Sequence, residues 1–192
     1  MDIGSTPPSA ESTGAPSGDR QLDFHPGLQM RWEITRSAAD TAGELFEATN
    51  WLDPKMAGPP VHVHPTAEES YEVIEGALDV FVDGTWRTLR AGESAKVPAG
   101  VPYTLRNATT APVRLVNIHS PALQFESFFR EMHGLIRQGK IKRLPPKEPR
   151  SAIFVAMLFG KYPHEIRVTK PPNGVFKALA MVGGALGFKL EP

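Results

Sequence analysis

Residues 58–76, GPPVHVHPTAEESYEVIEG, place two histidines one residue apart and a carboxylate five residues later. Side chains alternate between the faces of a β-strand, so His62 and His64 point the same way, with Val63 opposite. Glu69 follows the short turn PTAE, at the start of the next predicted strand, and reaches the same face if the two strands pair. Two imidazoles and one carboxylate that meet in this way suit iron, with manganese, nickel, cobalt and zinc as competitors.

Short alternating segments surround this stretch from about residue 28 to residue 119. The pairs Glu75-Gly76 and Asp83-Gly84 stand where hairpin turns belong. Roughly nine strands without intervening helices predict an all-β fold, either a closed antiparallel barrel or a double sheet.

Apolar residues after the last predicted strand follow helical spacing, as at Phe125, Phe128 and Met132. Two further apolar segments, SAIFVAMLFG at 151–160 and the stretch at 174–187, predict two more helices. The sequence thus predicts three parts in order: a disordered tail (1–20), a β-barrel domain (21–120) and a C-terminal helical extension packing on the barrel (121–192).

Composition restricts the classes of function. Lys and Arg total 21, as do Asp and Glu, and no basic run occurs, so we expect no nucleic-acid partner. The chain has no cysteine, which excludes thiolate ligands and disulfides. The amino terminus lacks the pattern of a signal peptide, and a cytoplasmic location is the expectation.

The segment GVFKALAMVGGALGF near the carboxyl end is strongly apolar but includes Lys177. It is shorter than the roughly 20 residues that a membrane span needs, so we expect no membrane span. A buried or docking helix is favoured, and contact with a membrane surface or a partner is the alternative.

Two motifs carry a resemblance to the cupin superfamily. The first has His62, His64, Glu69 and Gly76 at the family's intervals, and the second, GESAKVPAGVPYTLRN, matches at Gly92, Pro98, Gly100 and Asn107. The chain resembles small bacterial single-domain cupins of the cupin-2 conserved barrel type, which include quercetinase-like proteins. The resemblance implies a double-stranded β-helix, or jelly roll, and a divalent metal ion on His62, His64 and Glu69. It also makes a homodimer through exchanged edge strands plausible.

Tyr103 stands where the second motif usually supplies a fourth metal ligand, a histidine. A neutral phenol is a poor ligand for a divalent ion. Three outcomes stay open: the ion remains on the other three ligands, Tyr103 ligates as a phenolate, or the pocket works without metal. With metal present, Tyr103 is placed to donate a hydrogen bond or a proton to a substrate, which makes Tyr103 and Glu69 the candidate catalytic residues.

Four other residues are candidates for the pocket. Tyr71 and Val73 share the face of Glu69, and Leu105 shares the face of Tyr103, so they line the cavity or belong to ordinary core. His119, at the end of the last predicted strand, is either a substitute ligand or a histidine bonded to backbone.

Two classes of function fit these features. One is a metal-dependent enzyme acting on a small organic molecule in the barrel, by proton transfer (an isomerase, cyclase or decarboxylase) or by dioxygenation. The other is a non-catalytic cupin that binds a small molecule with weak or no metal. The sequence has no other catalytic motif that competes with these.

Overall fold

The computed structural model describes residues 20–170 and 172–190, so the tail expected at residues 1–20 lies outside them except for its last residue. Two antiparallel sheets face each other in a jelly roll, the double-stranded β-helix that the sequence predicts. The larger sheet has the strand order β1-β2-β3-β10-β5-β8. Its strands are β1 (Gln21–Asp23), β2 (Met30–Arg36), β3 (Phe46–Leu52), β5 (Glu68–Glu75), β8 (Ser94–Val97) and β10 (Val113–Ser120).

The smaller sheet has the order β11-β4-β9-β6-β7. It contains β4 (His62–Val63), β6 (Ala77–Val82), β7 (Thr85–Arg90), β9 (Tyr103–Arg106) and β11 (Arg167–Val168). The last strand comes from the C-terminal extension and pairs with the histidine strand, Val168 opposite His62. The sequence patterns did not predict β1 or β11, because both are too short to show a period.

Alternation places one face of each sheet in the interior. In β3, every second residue from Phe46 to Leu52 is buried, and the three residues that alternate with them are partly exposed. The predicted hairpin turn at Asp83-Gly84 is confirmed: both residues have positive φ, at 44° and 87°, in the tight turn between β6 and β7. The hairpin predicted at Glu75-Gly76 is wrong, because β5 and β6 lie in different sheets and Gly76, with a φ of 86°, carries the chain from one sheet to the other.

Three helices follow the barrel, as predicted: α1 (Phe125–Arg137), α2 (Pro149–Lys161) and α3 (Asn173–Ala185). Helix α1 packs its apolar stripe, including Phe125 and Phe129, into a core shared with Trp32 and Phe46 of the larger sheet. A second core fills the barrel around Leu78, and its members are buried. Among the described residues, no helix combines the length and the apolar character needed to cross a bilayer.

Candidate metal centre

Strand β4 and the residue that follows it carry two of the candidate ligands. His62 and His64 flank Val63, and both are buried, with exposed fractions of 5% each. The strand pairs with β9 so that His62 stands opposite Tyr103. Both imidazoles therefore enter the barrel beside the phenol that replaces the family's fourth ligand.

Glu69 reaches the same point from the other sheet. Its strand does not pair with the histidine strand, the condition under which the sequence places Glu69 on the same face: β5 pairs with β8 and β10, whereas β4 lies between β9 and β11. The turn between the strands passes from one sheet to the other, so the carboxylate faces the imidazoles across the interior. Its Oε2 lies 3.1 Å from His64 Nε2.

Backbone carbonyls fix the orientation of both imidazoles. His62 Nδ1 donates to the carbonyl of Pro60 at 2.8 Å, and His64 Nδ1 donates to the carbonyl of Glu165. A carbonyl can only accept, so in a neutral imidazole held this way the Nε2 atom keeps its lone pair. Both Nε2 atoms face the barrel interior, and such hydrogen bonds behind the ring are typical of histidines that bind metals.

Glu69 is oriented in the same manner. The side-chain amide of Asn117 donates to Oε1 at 2.7 Å, which leaves Oε2 toward the imidazoles. Burial on its own raises the pKa of Glu69, but the neighbouring His119 and His64 outweigh it, and the pKa lies well below the usual carboxyl value. Burial lowers the pKa of His62 to about 4. At neutral pH the set therefore contains an anionic carboxylate and a neutral His62.

The hydroxyl of Tyr103 lies between these groups. It is 2.8 Å from His62 Nε2 and also contacts His64 Nε2 and Glu69 Oε2. Burial and the Glu69 carboxylate raise the pKa of Tyr103 well above its ordinary value, so the phenol keeps its proton. That single proton can satisfy only one of three acceptors.

A buried cluster with more hydrogen-bond acceptors than protons is stabilised by a cation. A proton on His64 is one solution, since it would pair with Glu69 at 3.1 Å. A divalent metal ion is the other. The ligand atoms of His62, His64 and Glu69 lie within 4.8 Å of one another, and their chemistry fits such an ion.

A cavity of about 90 Å³ adjoins the cluster. Tyr71, Leu105 and His119 line it, whereas Val73 lies in the barrel core and not among its lining residues. Neither ring nitrogen of His119 has a hydrogen-bond partner among the described residues, although Nε2 lies 3.2 Å from Glu69 Oε1. The ring packs against Phe125 of α1, with centroids 4.0 Å apart.

Residues 52–119 match the family model of the cupin domain, Cupin_2. This part of the barrel is a cupin domain. The chain is 35% identical to quercetin 2,3-dioxygenase of Bacillus subtilis over 66 residues. The aligned stretch covers 34% of this chain and 20% of that protein. Over 60 residues the chain is 37% identical to polyketide synthase CurC of Streptomyces cyaneus, 31% of this chain and 39% of that one. The matches thus span well under half of either relative.

An RmlC-like cupin from Shewanella frigidimarina is similar in structure, with 24% identity and a TM-score of 0.48 over 60% of this chain and 96% of that one.

The barrel supplies the three candidate metal ligands, but the sequence does not predict two residues that orient them. Asn117 shares a strand face with His119, and this alternation is a signal that could have found it. Glu165 acts through its backbone carbonyl, for which a sequence holds no signal.

Proposed function

We propose that this cupin domain holds a divalent metal ion on His62, His64 and Glu69 and is an enzyme for a small organic molecule. The observation that carries the proposal is the convergence of three buried acceptors on one hydroxyl proton, beside a cavity. The homodimer and the cytoplasmic location expected from the sequence remain predictions.

The cavity supports a substrate that is uncharged and largely apolar. Its lining is dominated by aliphatic and aromatic side chains from both sheets and α1, among them Met30, Leu105 and Phe129. No Lys or Arg is among the lining residues of the part of the chain that the structure describes. Away from the proposed metal ion, a phosphorylated or carboxylated substrate would lose its hydration there without gaining a cationic partner. The polar groups are concentrated at the cluster around Tyr103.

The residues of the cluster support proton transfer. Tyr103 keeps its proton and holds it beside the cavity, so it can donate a hydrogen bond or a proton to a bound molecule. The imidazoles and Glu69 hold acceptor atoms against that hydroxyl, and these atoms can receive a proton only where no metal ion uses their lone pairs. A metal ion, when bound, would add Lewis-acid polarisation of a substrate oxygen. Dioxygenation is the alternative reaction, since one relative is a quercetin dioxygenase.

A second candidate is a cupin that binds its ligand without transforming it. The position of the Tyr103 hydroxyl favours this candidate, because the hydroxyl occupies the space between the three candidate ligand atoms, where an ion would bind. A tyrosine reaches further from its backbone than a histidine does. An ion at this point requires the phenol either to move or to ligate.

Metal content tests the first half of the proposal. Protein purified without chelators and supplied with iron, manganese, nickel, cobalt or zinc is expected to retain about one ion per chain, as measured by mass spectrometry of the elements. His62→Ala is expected to lose it, and His164→Ala, an exposed histidine, serves as the control. Wild-type protein that stays free of metal under every condition would contradict the metal site.

Conversion of a compound tests the second half. The metal-loaded protein is incubated with fractions of uncharged small molecules, and the compounds are followed by chromatography and mass spectrometry. We expect a compound that wild-type protein consumes and that Tyr103→Phe binds without consuming. Oxygen uptake during turnover would assign dioxygenation, and its absence would assign proton transfer. Recovery of every bound compound unchanged would favour the binding function instead.

A further inference from the structure

Helix α3 packs on α2 through one face. Gly183 allows close approach, because a Cβ there would lie 2.5 Å from the sulfur of Met157. Phe176 stacks on Phe159 with ring centroids 6.0 Å apart. These contacts fix the rotation of α3 and determine which of its side chains face outward.

The outer face of α3, defined here by Val175, Met181, Val182 and Leu186, is apolar and exposed. The exposed fractions of these side chains are 44%, 71%, 47% and 61%. They account for four of the six exposed large hydrophobic residues in the part of the chain that the structure describes. A helix that is apolar on both sides is normally enclosed, so a concentrated patch of this kind marks an interaction site.

Cations lie at both ends of this face. Lys177 is on α3 itself, and Arg167 lines the groove beside it. At the other end, the guanidinium of Arg150 lies 5.5 Å from the centre of the Phe188 ring, next to Lys189. The only acidic residue of 161–190 is Glu165, which is buried.

The whole extension shares this sign of charge. Residues 121–192 contain twelve Lys and Arg but only five acidic residues, whereas residues 1–120 contain nine Lys and Arg and sixteen acidic residues. The balanced total, from which we expect no nucleic-acid partner, conceals a basic extension and an acidic remainder. A basic patch around an apolar face attracts an anionic surface that can also accept apolar side chains.

We propose that the outer face of α3 docks on the surface of an anionic lipid bilayer. Met181, Val182 and Leu186 enter the boundary between headgroups and acyl chains, and the flanking cations contact anionic headgroups. The same charge argues against a second copy as the occupant, because two extensions of equal sign repel each other when they meet face to face. The helix lies on the bilayer and does not cross it.

Flotation with lipid vesicles tests this proposal. We expect the full chain to bind vesicles of phosphatidylcholine mixed with phosphatidylglycerol at least tenfold more tightly than phosphatidylcholine alone, and to be released by high salt. Lys177→Gln combined with Arg167→Gln is expected to weaken binding about 25-fold, since each cation near such a surface contributes about fivefold. Arg87→Gln, on an exposed position of β7, is the charge control.

The apolar contribution has its own pair of variants. Met181→Ser with Val182→Ser is expected to abolish flotation, and Trp86→Ser, 43% exposed on the barrel, is expected to leave it unchanged. Melting temperatures show that each variant is folded. Absence of flotation, or equal flotation with neutral vesicles, would overturn the proposal. So would a lipid-free dimer that Met181→Ser with Val182→Ser dissociates, because a second copy would then cover this face.

Discussion

His64 donates its Nδ1 proton to the backbone carbonyl of Glu165, a residue 101 positions further along the chain. The hydrogen bond joins a candidate metal ligand in the barrel to the segment that follows α2. The extension is therefore part of the site's construction, since it determines which nitrogen of His64 faces the interior.

Replacement of Glu165 is expected to weaken metal binding without touching a ligand. Its buried side chain accepts a hydrogen bond from the backbone N–H of Gln124 at 3.2 Å and so holds the carbonyl in place. We expect Glu165→Ala to lower metal affinity about tenfold, as loss of an orienting group does elsewhere. Glu165→Gln, which retains an acceptor oxygen, should bind nearly as wild type does. Equal affinities for all three proteins in a chelator competition would disprove the positioning role.

Tyr103→His is expected to raise metal affinity at least tenfold. The substitution supplies a histidine nitrogen as the fourth ligand of the cupin motif and removes the hydroxyl from between the other three ligand atoms. Tyr103→Phe separates the two effects, because it removes the hydroxyl but adds no ligand. Competition with a chelator measures both variants. An affinity for Tyr103→His no higher than that of Tyr103→Phe would show that the added nitrogen does not ligate.

Gly58 is expected to tolerate no side chain. Its φ is 79°, and a Cβ would lie 1.7 Å from the carbonyl oxygen of Leu105, in the neighbouring backbone. Gly43 has a similar φ of 85° with nothing within 4 Å, so it is a matched control. We expect Gly43→Ala to lower the free energy of unfolding by about 1 kcal/mol and Gly58→Ala by about 3 kcal/mol or more, measured by urea denaturation. Equal losses would show that the close contact is absent.

His25 is expected to titrate above its ordinary pKa. Its Nε2 lies 2.8 Å from Asp53 Oδ2 and its Nδ1 2.5 Å from Asp23 Oδ1. The hydrogen bond to Asp53 is the main cause of the raised pKa, although burial opposes it. A raised pKa means that the pair stabilises the fold below about pH 6.5 and that this stabilisation disappears as the pH rises through the folded pKa.

Asp53→Asn tests this sign. Because both groups are partly exposed, we expect a loss of only about 0.5 kcal/mol at about pH 5.5 and close to none at about pH 9. The His25 ring resonances in NMR should show a lower pKa in the variant. Glu72→Gln, an exposed carboxylate on β5, is the control. A loss that grows toward high pH would refute the assignment.

The sequence predicts the jelly roll well, because its determinants are local. Alternation along β3 and β10 and the Asp83-Gly84 turn can be read without any knowledge of distant contacts. The same alternation places His62 and His64 on one face. These features depend on neighbours within a few residues.

The remainder of the site depends on contacts between distant segments. The strand of Glu69 does not pair with that of His62, and the carboxylate arrives from the opposite sheet. Strand β11 has two residues and no period of its own, yet Val168 pairs with His62. A backbone carbonyl such as that of Glu165 is common to every residue, so no residue type announces its role.

Strand β11 is made long after β4, so the surroundings of the two histidines are completed late in protein synthesis. The ribosome makes His62 and His64 about 100 residues before their partners Val168 and Glu165. A nascent barrel therefore lacks both the edge strand beside His62 and the acceptor behind His64 until the extension has emerged. We therefore expect the proposed metal ion to bind less tightly to the nascent chain than to the finished one, by about the tenfold that loss of an orienting group costs.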